Sequence, residues 1–223
     1  MDARYARNVP ALTEAECLAL RTKRVLVVGC GGLGGHIIDQ LARIGVGYLR
    51  VVDGDVFEPS NLNRQLLSAV PLLGVEKAKA AAEHVSRVNP ETAVDAVVSY
   101  LTEDNVQTMI ADCDVVLDAL DNIPSRIILA AACSEAGIPY VYGAISGWIA
   151  QAAVSMPGDN LVQKLYPEGT VLRDKSVLSF TPALCASLQV SLCTKLLTGR
   201  PVETGMVYYF DLLNQEFEEI PMG

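Results

Sequence analysis

Paired cysteines and clustered histidines, the usual ligands of protein-bound zinc, are missing from this chain. The sequence contains no CxxC pair, so a zinc site built from paired cysteines is excluded. It has only two histidines, His36 and His84, which argues against a histidine metal cluster. We expect the cysteines to be buried, reduced thiols, as is usual in a cytoplasmic protein of this size. The six positions are Cys17, Cys30, Cys113, Cys133, Cys185 and Cys193.

Positive charge is also scarce. Lys and Arg total 17 against 26 Asp and Glu, which gives a net charge of −9 over 223 residues. This balance argues against nonspecific binding to nucleic acid or to an anionic membrane, although it leaves local positive patches open. The first residues, MDARYARNVP, lack the apolar core of a signal peptide, so we expect a cytoplasmic protein.

Two uncharged stretches approach the length of a membrane span, at residues 136–158 and 176–194. The first is interrupted by glycines, a proline and a glutamine, a pattern typical of two buried strands joined by a turn. The second contains Pro182 and Gln189 and predicts a buried helix. Neither stretch predicts a transmembrane segment.

The remaining pattern is that of one globular α/β domain over residues 1–223. A mean hydropathy of +0.30 excludes a disordered chain, and no repeat or Pro/Gly/Ser linker divides the sequence. Apolar strands alternate with amphipathic helices, which predicts a Rossmann-like, mainly parallel sheet with helices on both faces. The predicted strands are 24–29, 48–52, 94–100, 114–117 and 140–144, and the predicted helices are 36–44, 74–89, 102–111 and 123–136.

After residue 145 the pattern changes to a C-terminal antiparallel extension. We predict a strand at 148–156, a loop at 159–180, a helix at 182–197 and a hairpin of strands 206–212 and 215–220. Thr13 and Glu16 form the spacing of a capping box, ahead of which residues 1–12 make an N-terminal arm outside the sheet. The chain thus divides into the arm at 1–12, a core at 24–145 and a C-terminal region at 146–223.

A glycine motif follows the first strand. Gly29-Cys-Gly31-Gly32-Leu-Gly34 satisfies GxGxxG and opens a helix, and Asp53 follows it by nineteen residues at the end of the second strand. Such glycines let the backbone approach a phosphate, and the carboxylate accepts both hydroxyls of a ribose. The pattern predicts a nucleotide site, and by itself it fits NAD, FAD or ATP.

Charged residues after the second strand favour ATP. The segment from Asp53 to Gln65 includes Asp55, Ser60, Asn61 and Arg64, and Lys77 follows it. Arginine and lysine suit an enzyme that works on a triphosphate, because charge on the phosphates must be neutralised while they depart.

Two aspartates follow the strand at 114–117. At the end of a parallel strand a carboxylate can hold Mg²⁺ against phosphates. We favour Asp121, beside Asn122, over Asp118, which could serve instead or merely cap a helix.

The segments GCGGLGG, VDGDVFEPSNLNRQ, GVEKAKA and LDALDN resemble the ThiF/MoeB/HesA family, the bacterial relatives of ubiquitin-activating enzymes. The resemblance runs from Arg4 through the C-terminal hairpin and is densest over 24–126. It implies a homodimer that uses ATP and Mg²⁺ to adenylate the C-terminal glycine carboxylate of a small ubiquitin-like sulfur carrier ending in Gly-Gly. The carrier would be of the ThiS/MoaD type, in thiamine or molybdopterin-type cofactor biosynthesis, and pyrophosphate would be released.

The resemblance also implies roles for single residues. Gly32 and Asp53 would hold the nucleotide, and Asn61 and Arg64 would lie near its phosphates. Lys77 would stabilise charge and Asp121 would bind magnesium. Arg4-Tyr5-Ala-Arg7 resembles the family's R-Y-x-R, so Arg7 would enter the partner's ATP site. The predicted nucleotide-binding set is Gly29, Gly31, Gly32, Gly34, Asp53, Asp55, Ser60, Asn61, Arg64, Gln65, Lys77, Asp121 and Asn122, and the predicted catalytic set is Arg7, Arg64, Lys77 and Asp121.

The sequence departs from the family at its cysteines. Many members bind zinc through two CxxC pairs, but the loop at 159–164 and the C-terminus contain no cysteine, so no zinc is predicted. Many also carry a transfer cysteine in the loop that corresponds to 168–180, and none is present here. We predict that Cys185 and Cys193 are buried helical thiols.

Without that thiol, a separate sulfur donor would receive the adenylate, or the chain serves a different carboxylate on a modified tRNA or a peptide C-terminus. Two other hypotheses are a non-catalytic nucleotide-binding scaffold and a Rossmann dehydrogenase.

Overall fold

The protein is built on one eight-stranded sheet. The computed structural model describes residues 2–170 and 176–222. The strands are β1 (Arg24–Val28), β2 (Tyr48–Val52), β3 (Ala93–Val97), β4 (Val115–Asp118), β5 (Tyr140–Ser146), β6 (Ile149–Ser155), β7 (Met206–Asp211) and β8 (Glu216–Pro221). Their order is β3-β2-β1-β4-β5-β6-β7-β8. β1 to β5 pair in parallel and β6 to β8 are antiparallel, so the predicted fold class is confirmed.

Helices cover both faces of the sheet. They are α1 (Glu14–Leu20), α2 (Gly32–Ile44), α3 (Lys77–Val88), α4 (Val106–Ile110), α5 (Ile123–Ala136), α6 (Leu161–Leu165) and α7 (Phe180–Thr198). Alternate residues of β1 enter two different hydrophobic clusters, Val25 and Val27 with α2, α3 and α7, and Leu26 and Val28 with α4, α5 and α6. A strand that is buried on both faces has a continuous run of apolar residues, and this run is the signal that predicts β1 from the sequence.

Several predicted elements differ from the structure. α2 begins at Gly32, four residues before the predicted start, and β3 ends at Val97, three residues before the predicted end. Two further differences have local causes. The helix predicted at 102–111 is shorter in the structure, where only α4 is helical. The amide oxygen of Asn105 accepts from the backbone N–H of Thr102 at 2.8 Å and holds the residues ahead of α4 in a turn. The loop predicted at 159–180 contains α6, whose Leu161 and Val162 are buried against the sheet. Part of that loop, residues 171–175, lies outside the described residues.

The predicted N-terminal arm packs against its own chain. The capping box of Thr13 and Glu16 is confirmed. Tyr5, only 3% exposed, lies against Gly45 at the C-terminal end of α2. Its hydroxyl accepts from the side-chain amide of Asn89 at 2.7 Å. Arg7, two residues further on, is exposed.

α7 has the length and apolar composition of a membrane-spanning helix. Half of its most apolar window is buried inside the protein, where α7 packs on α2, β5 and β6. Gln189, in the middle of α7, is fully buried and its amide nitrogen donates to the carbonyl oxygen of Asp118 at 2.7 Å. These contacts are those of the core helix that the sequence predicts.

Candidate nucleotide-binding site

A cleft of about 380 Å³ opens at the carboxyl ends of the parallel strands. The segments that follow β1, β2, β3 and β4 all contribute to its wall, because parallel strands end at the same edge of a sheet. Ten of the predicted nucleotide-binding residues line it: Gly29, Gly31, Gly32, Asp53, Asp55, Arg64, Gln65, Lys77, Asp121 and Asn122.

The glycine motif forms the tight turn from β1 into α2. Gly29 has a φ of +100°, a conformation that favours glycine. A Cβ atom on Gly34 would lie 1.8 Å from the carbonyl oxygen of Gly29, so no other residue fits there. Gly34 therefore builds the turn and does not line the cleft. The turn directs the unpaired N–H groups of the α2 N-terminus toward the cleft, an arrangement that binds anions.

Asp53 is fixed by backbone donors. Its Oδ2 accepts from the N–H of Cys30 at 2.7 Å, and its Oδ1 accepts from the N–H of Asp55 at 2.8 Å. Burial raises the pKa of Asp53, while these two amide donors and Lys77 act in the opposite direction. The carboxylate is thus tied to the glycine turn and faces the same cleft.

Two of the predicted cationic side chains reach the cleft from different elements. Lys77 opens α3, and its Nζ lies 3.0 Å from Oδ2 of Asp55 with the lysine side chain 8% exposed. Arg64 follows a 3₁₀ turn and donates to the carbonyl oxygen of Ser60 at 2.9 Å. A Cβ atom on Gly32 would lie 3.8 Å from Cγ of Arg64, so the arginine stem adjoins the glycine turn.

Ser60 and Asn61 are not among the residues that line the cleft. Asn61 is buried, and its side-chain oxygen accepts from the N–H of Glu58 at 2.9 Å, which closes the 3₁₀ turn Pro59–Asn61. Ser60 holds Arg64 through its carbonyl oxygen. In this structure both residues shape the segment that carries Arg64, and their contact with a nucleotide stays a prediction. Arg7, on the N-terminal arm, does not line the cleft of its own chain.

The two aspartates after β4 have different surroundings. Asp118 is fully buried, pairs with Arg126 at 2.7 Å, and accepts from the hydroxyl of Tyr140 and the N–H of Leu120. Burial raises the pKa of Asp118, and Arg126 is the strongest of the contacts that lower it. Asp121 is exposed at the cleft. Of these two carboxylates, that of Asp121 is the one open to solvent, and its binding of magnesium stays a prediction.

Several side chains that line the cleft were not predicted from the sequence, and the largest polar ones are Tyr100, Arg126 and Tyr166. The position of Tyr100 just after β3 was a usable signal, because the ends of all parallel strands meet at this edge. Arg126 and Tyr166 had no local signal, since they reach the cleft through the packing of α5 and the segment after α6.

The sequence pattern of the ThiF family matches residues 5–223. The chain belongs to the ThiF family. Its relatives include the SAMP-activating enzyme E1 of Haloferax volcanii, 39% identical over 210 residues that cover 91% of this chain and 77% of that protein. The molybdopterin-synthase adenylyltransferase of Escherichia coli is 32% identical over 212 residues, 92% of this chain and 85% of that protein. Accordingly, this ThiF-family chain is an adenylyltransferase, from a family that uses ATP.

The fold of this ThiF-family chain is also that of MccB of Escherichia coli, solved with ATP. The TM-score is 0.85 at 20% identity, with 100% of this chain and 72% of that one covered. Several other curated relatives are longer, and the chain spans about half to three fifths of their length.

All six cysteines of this ThiF-family chain are buried, as the sequence predicts. Burial raises the pKa of Cys185, in α7, to about 12, and it also raises the pKa of Cys193. A thiol of this kind is almost entirely protonated at neutral pH and is a poor nucleophile.

Proposed function

We propose that the chain uses ATP and Mg²⁺ to adenylate the C-terminal glycine carboxylate of a small ubiquitin-like sulfur carrier of the ThiS/MoaD type, releasing pyrophosphate. One observation carries the proposal: a single cleft joins the glycine turn, the carboxylate of Asp53 and the two cations Arg64 and Lys77. The names of the relatives from Haloferax volcanii and Escherichia coli support it. The product would serve thiamine or molybdopterin-type cofactor biosynthesis.

The reaction needs positioning and charge neutralisation more than proton transfer. A C-terminal carboxylate has a pKa of about 3.5, so it is already ionised at neutral pH and needs no general base. Its oxygen bonds to the α-phosphorus while the bond to the bridging oxygen breaks, and pyrophosphate leaves with the electron pair. Arg64 and Lys77 would neutralise the departing charge. The glycine turn would hold the phosphates, and Asp53 would accept the ribose hydroxyls.

Asp121 would bind the magnesium ion that accompanies ATP. Mg²⁺ commonly takes one or two carboxylates and completes its shell with water and phosphate oxygens, so one exposed carboxylate at the cleft fits it. Asp118 does not fit, because Arg126, Tyr140 and Leu120 occupy its oxygens. The ion would supply further positive charge against the triphosphate.

The C-terminal hairpin offers a surface for the carrier. Phe217 on the edge strand β8 is about half exposed and packs on Phe210 with ring centroids 4.5 Å apart, and its ring stacks with Tyr208. An exposed aromatic cluster of this kind is typical of a protein-binding surface. Because every cysteine of the chain is buried, the adenylate would pass to a separate sulfur donor.

A second apolar surface would serve a homodimer. Leu62, Leu66 and Val70 are exposed on the segment that carries Arg64. The side-chain amide of Asn63 donates to the carbonyl oxygen of Val177 at 3.2 Å, which joins this segment to the chain ahead of α7. Trp148 and Phe180, also exposed, pack together 5.0 Å apart. Burial of such side chains in a second copy of the chain would remove them from water.

Exchange of labelled pyrophosphate into ATP tests the proposed substrate. We expect exchange with a carrier that ends in Gly-Gly and none with the same carrier lacking its last glycine. Exchange with a peptide or a modified tRNA carboxylate, and not with the carrier, would support a different acceptor. ATP binding by calorimetry without any turnover would support a scaffold. Binding of NAD in place of ATP would point to a dehydrogenase.

Mixing two inactive variants tests whether Arg7 completes the partner's site. We expect Arg7→Ala and Lys77→Ala each to lose most pyrophosphate exchange alone. An equal mixture of the two would regain activity at about a quarter of its sites. Random pairing makes about half of the dimers mixed, and in each mixed dimer one of the two sites combines an intact Arg7 with an intact Lys77. A mixture no more active than its components would place Arg7 outside the partner's site. Arg4→Ala, mixed with Lys77→Ala in the same way, is the matched control.

A further inference from the structure

Tyr100 lies at the outer edge of the cleft, just after β3. A Cβ atom on Gly54 would lie 2.8 Å from Cγ and Cδ1 of Tyr100 and 2.9 Å from its Cδ2. These nearly equal distances place the face of the ring over the backbone of Gly54. The tyrosine hydroxyl donates to Oδ1 of Asp55 at 2.7 Å. The side chain of Tyr100 thus covers the backbone of Gly54 and reaches the carboxylate of Asp55.

The same aspartate also holds Lys77, one of the cationic side chains of the site. Oδ2 of Asp55 accepts from Nζ of Lys77 at 3.0 Å, while its backbone N–H donates to Asp53 at 2.8 Å. Lys77 is nearly buried, although Asp55 is half exposed. A continuous chain of hydrogen bonds therefore runs from Tyr100 through Asp55 to Lys77, with a branch to Asp53.

The backbone around Tyr100 is anchored, so its side chain has a defined direction. The side-chain amide of Asn105 donates to the carbonyl oxygen of Tyr100 at 2.9 Å and accepts from the N–H of Thr102 at 2.8 Å. The next residue, Leu101, is buried. Tyr100 itself is 66% exposed, yet it is held at both its backbone and its hydroxyl. An exposed aromatic residue held in this way is not a free surface side chain.

We propose that Tyr100 is a positioning residue that fixes Asp55, and through it the ammonium group of Lys77, while its ring closes the cleft over Gly54. A lysine side chain has a flexible stem and ends in a point charge, so it acts best on phosphate oxygens when another group holds it in place. The inference rests on the proposed function, because it assigns Tyr100 to the neutralisation of the phosphates by Lys77.

Tyr100→Phe keeps the ring and removes only the hydroxyl. We expect kcat for pyrophosphate exchange to fall about threefold to tenfold, the size of one hydrogen bond, with the KM for ATP nearly unchanged. Tyr100→Ala also removes the ring, and we expect its KM for ATP to rise as well. Unchanged kcat and KM in Tyr100→Phe, with only a lower Tm, would overturn the proposal.

Tyr48→Phe is a chemically matched control at the other end of β2. The hydroxyl of Tyr48 donates to Asp95 at 3.0 Å, and Asp95 pairs with Arg50 at 2.8 Å, so the control also loses a tyrosine–aspartate bond beside a cation. Tyr48 does not line the cleft. We expect its kinetics to match the wild type. An equal fall in kcat in both variants would mean that Tyr100 acts through stability alone.

A double-mutant cycle tests the route through Asp55. If Tyr100 acts through this carboxylate, Tyr100→Phe will lower kcat little further in an Asp55→Asn background. Full additivity would overturn that route.

If the wild type binds ATP but exchanges no pyrophosphate with a carrier, the proposed substrate is wrong. In that case ATP titration still tests Tyr100: weaker binding by Tyr100→Ala than by Tyr48→Phe supports it, and equal binding overturns it.

Discussion

Lys77→Ala will lower pyrophosphate exchange about 100-fold to 1,000-fold, the usual loss when one preorganised charge is removed from a transition state. Lys77 is nearly buried and lines the cleft, and its ammonium group is held there by Asp55. Its partner Asp55 is half exposed, so the carboxylate can be solvated after the change and the fold will persist. Exchange rates at saturating ATP and carrier, with a thermal melt of each variant, measure both effects.

Lys79→Ala is the matched control for this experiment. Lys79 lies two residues further along α3, is 64% exposed and pairs with Glu76 on the surface. We expect its exchange rate and Tm to stay near those of the wild type. If Lys77→Ala kept its activity within about threefold of the control, Lys77 would not be the charge that the phosphates need.

Arg126→Met will lower the free energy of unfolding by about 3–5 kcal/mol, the cost typical of leaving one partner of a buried ion pair alone. Arg126 donates 2.7 Å bonds to Asp118 and to the carbonyl oxygen of Gly143. Methionine approximates the length of the side chain but supplies no donor. Urea denaturation measures the loss. Arg87→Met removes an ion pair with Glu83 in which both side chains are exposed, and as a control it should cost about 0.5 kcal/mol or less.

The loss in Arg126→Met should also depend on pH. Burial already raises the pKa of Asp118 above the ordinary value of 3.8, and Arg126 opposes this shift. Without the arginine the pKa rises further, so the folded state binds the proton more tightly than the unfolded chain does. Stability then falls as pH increases above the ordinary aspartate pKa. The variant should therefore be destabilised less at about pH 5 than at about pH 8, and an equal loss at both would contradict this assignment.

The elements built from contiguous sequence were predictable. β1 is an apolar run that ends at a glycine, and α2 and α3 carry amphipathic patterns, so each has a signal within its own residues. The capping box ahead of α1 is equally local. The prediction was less accurate for α4, where the side chain of Asn105 captures a backbone donor and shortens the helix. The glycine, aspartate and lysine positions of the cleft followed from motifs of the same local kind.

By itself, the sequence determined the α/β fold class, the glycine turn and the membership of an adenylyltransferase family, because each is written in short runs of neighbouring residues. Only the tertiary structure decided which carboxylates are available. Asp118 is paired with Arg126 and hydrogen-bonded by Tyr140, and Asp55 is shared between Lys77 and Tyr100, partners up to 45 residues away in the chain. No local pattern encodes such pairings, since they form only when strands and helices that are separate in the sequence pack together at this part of the sheet.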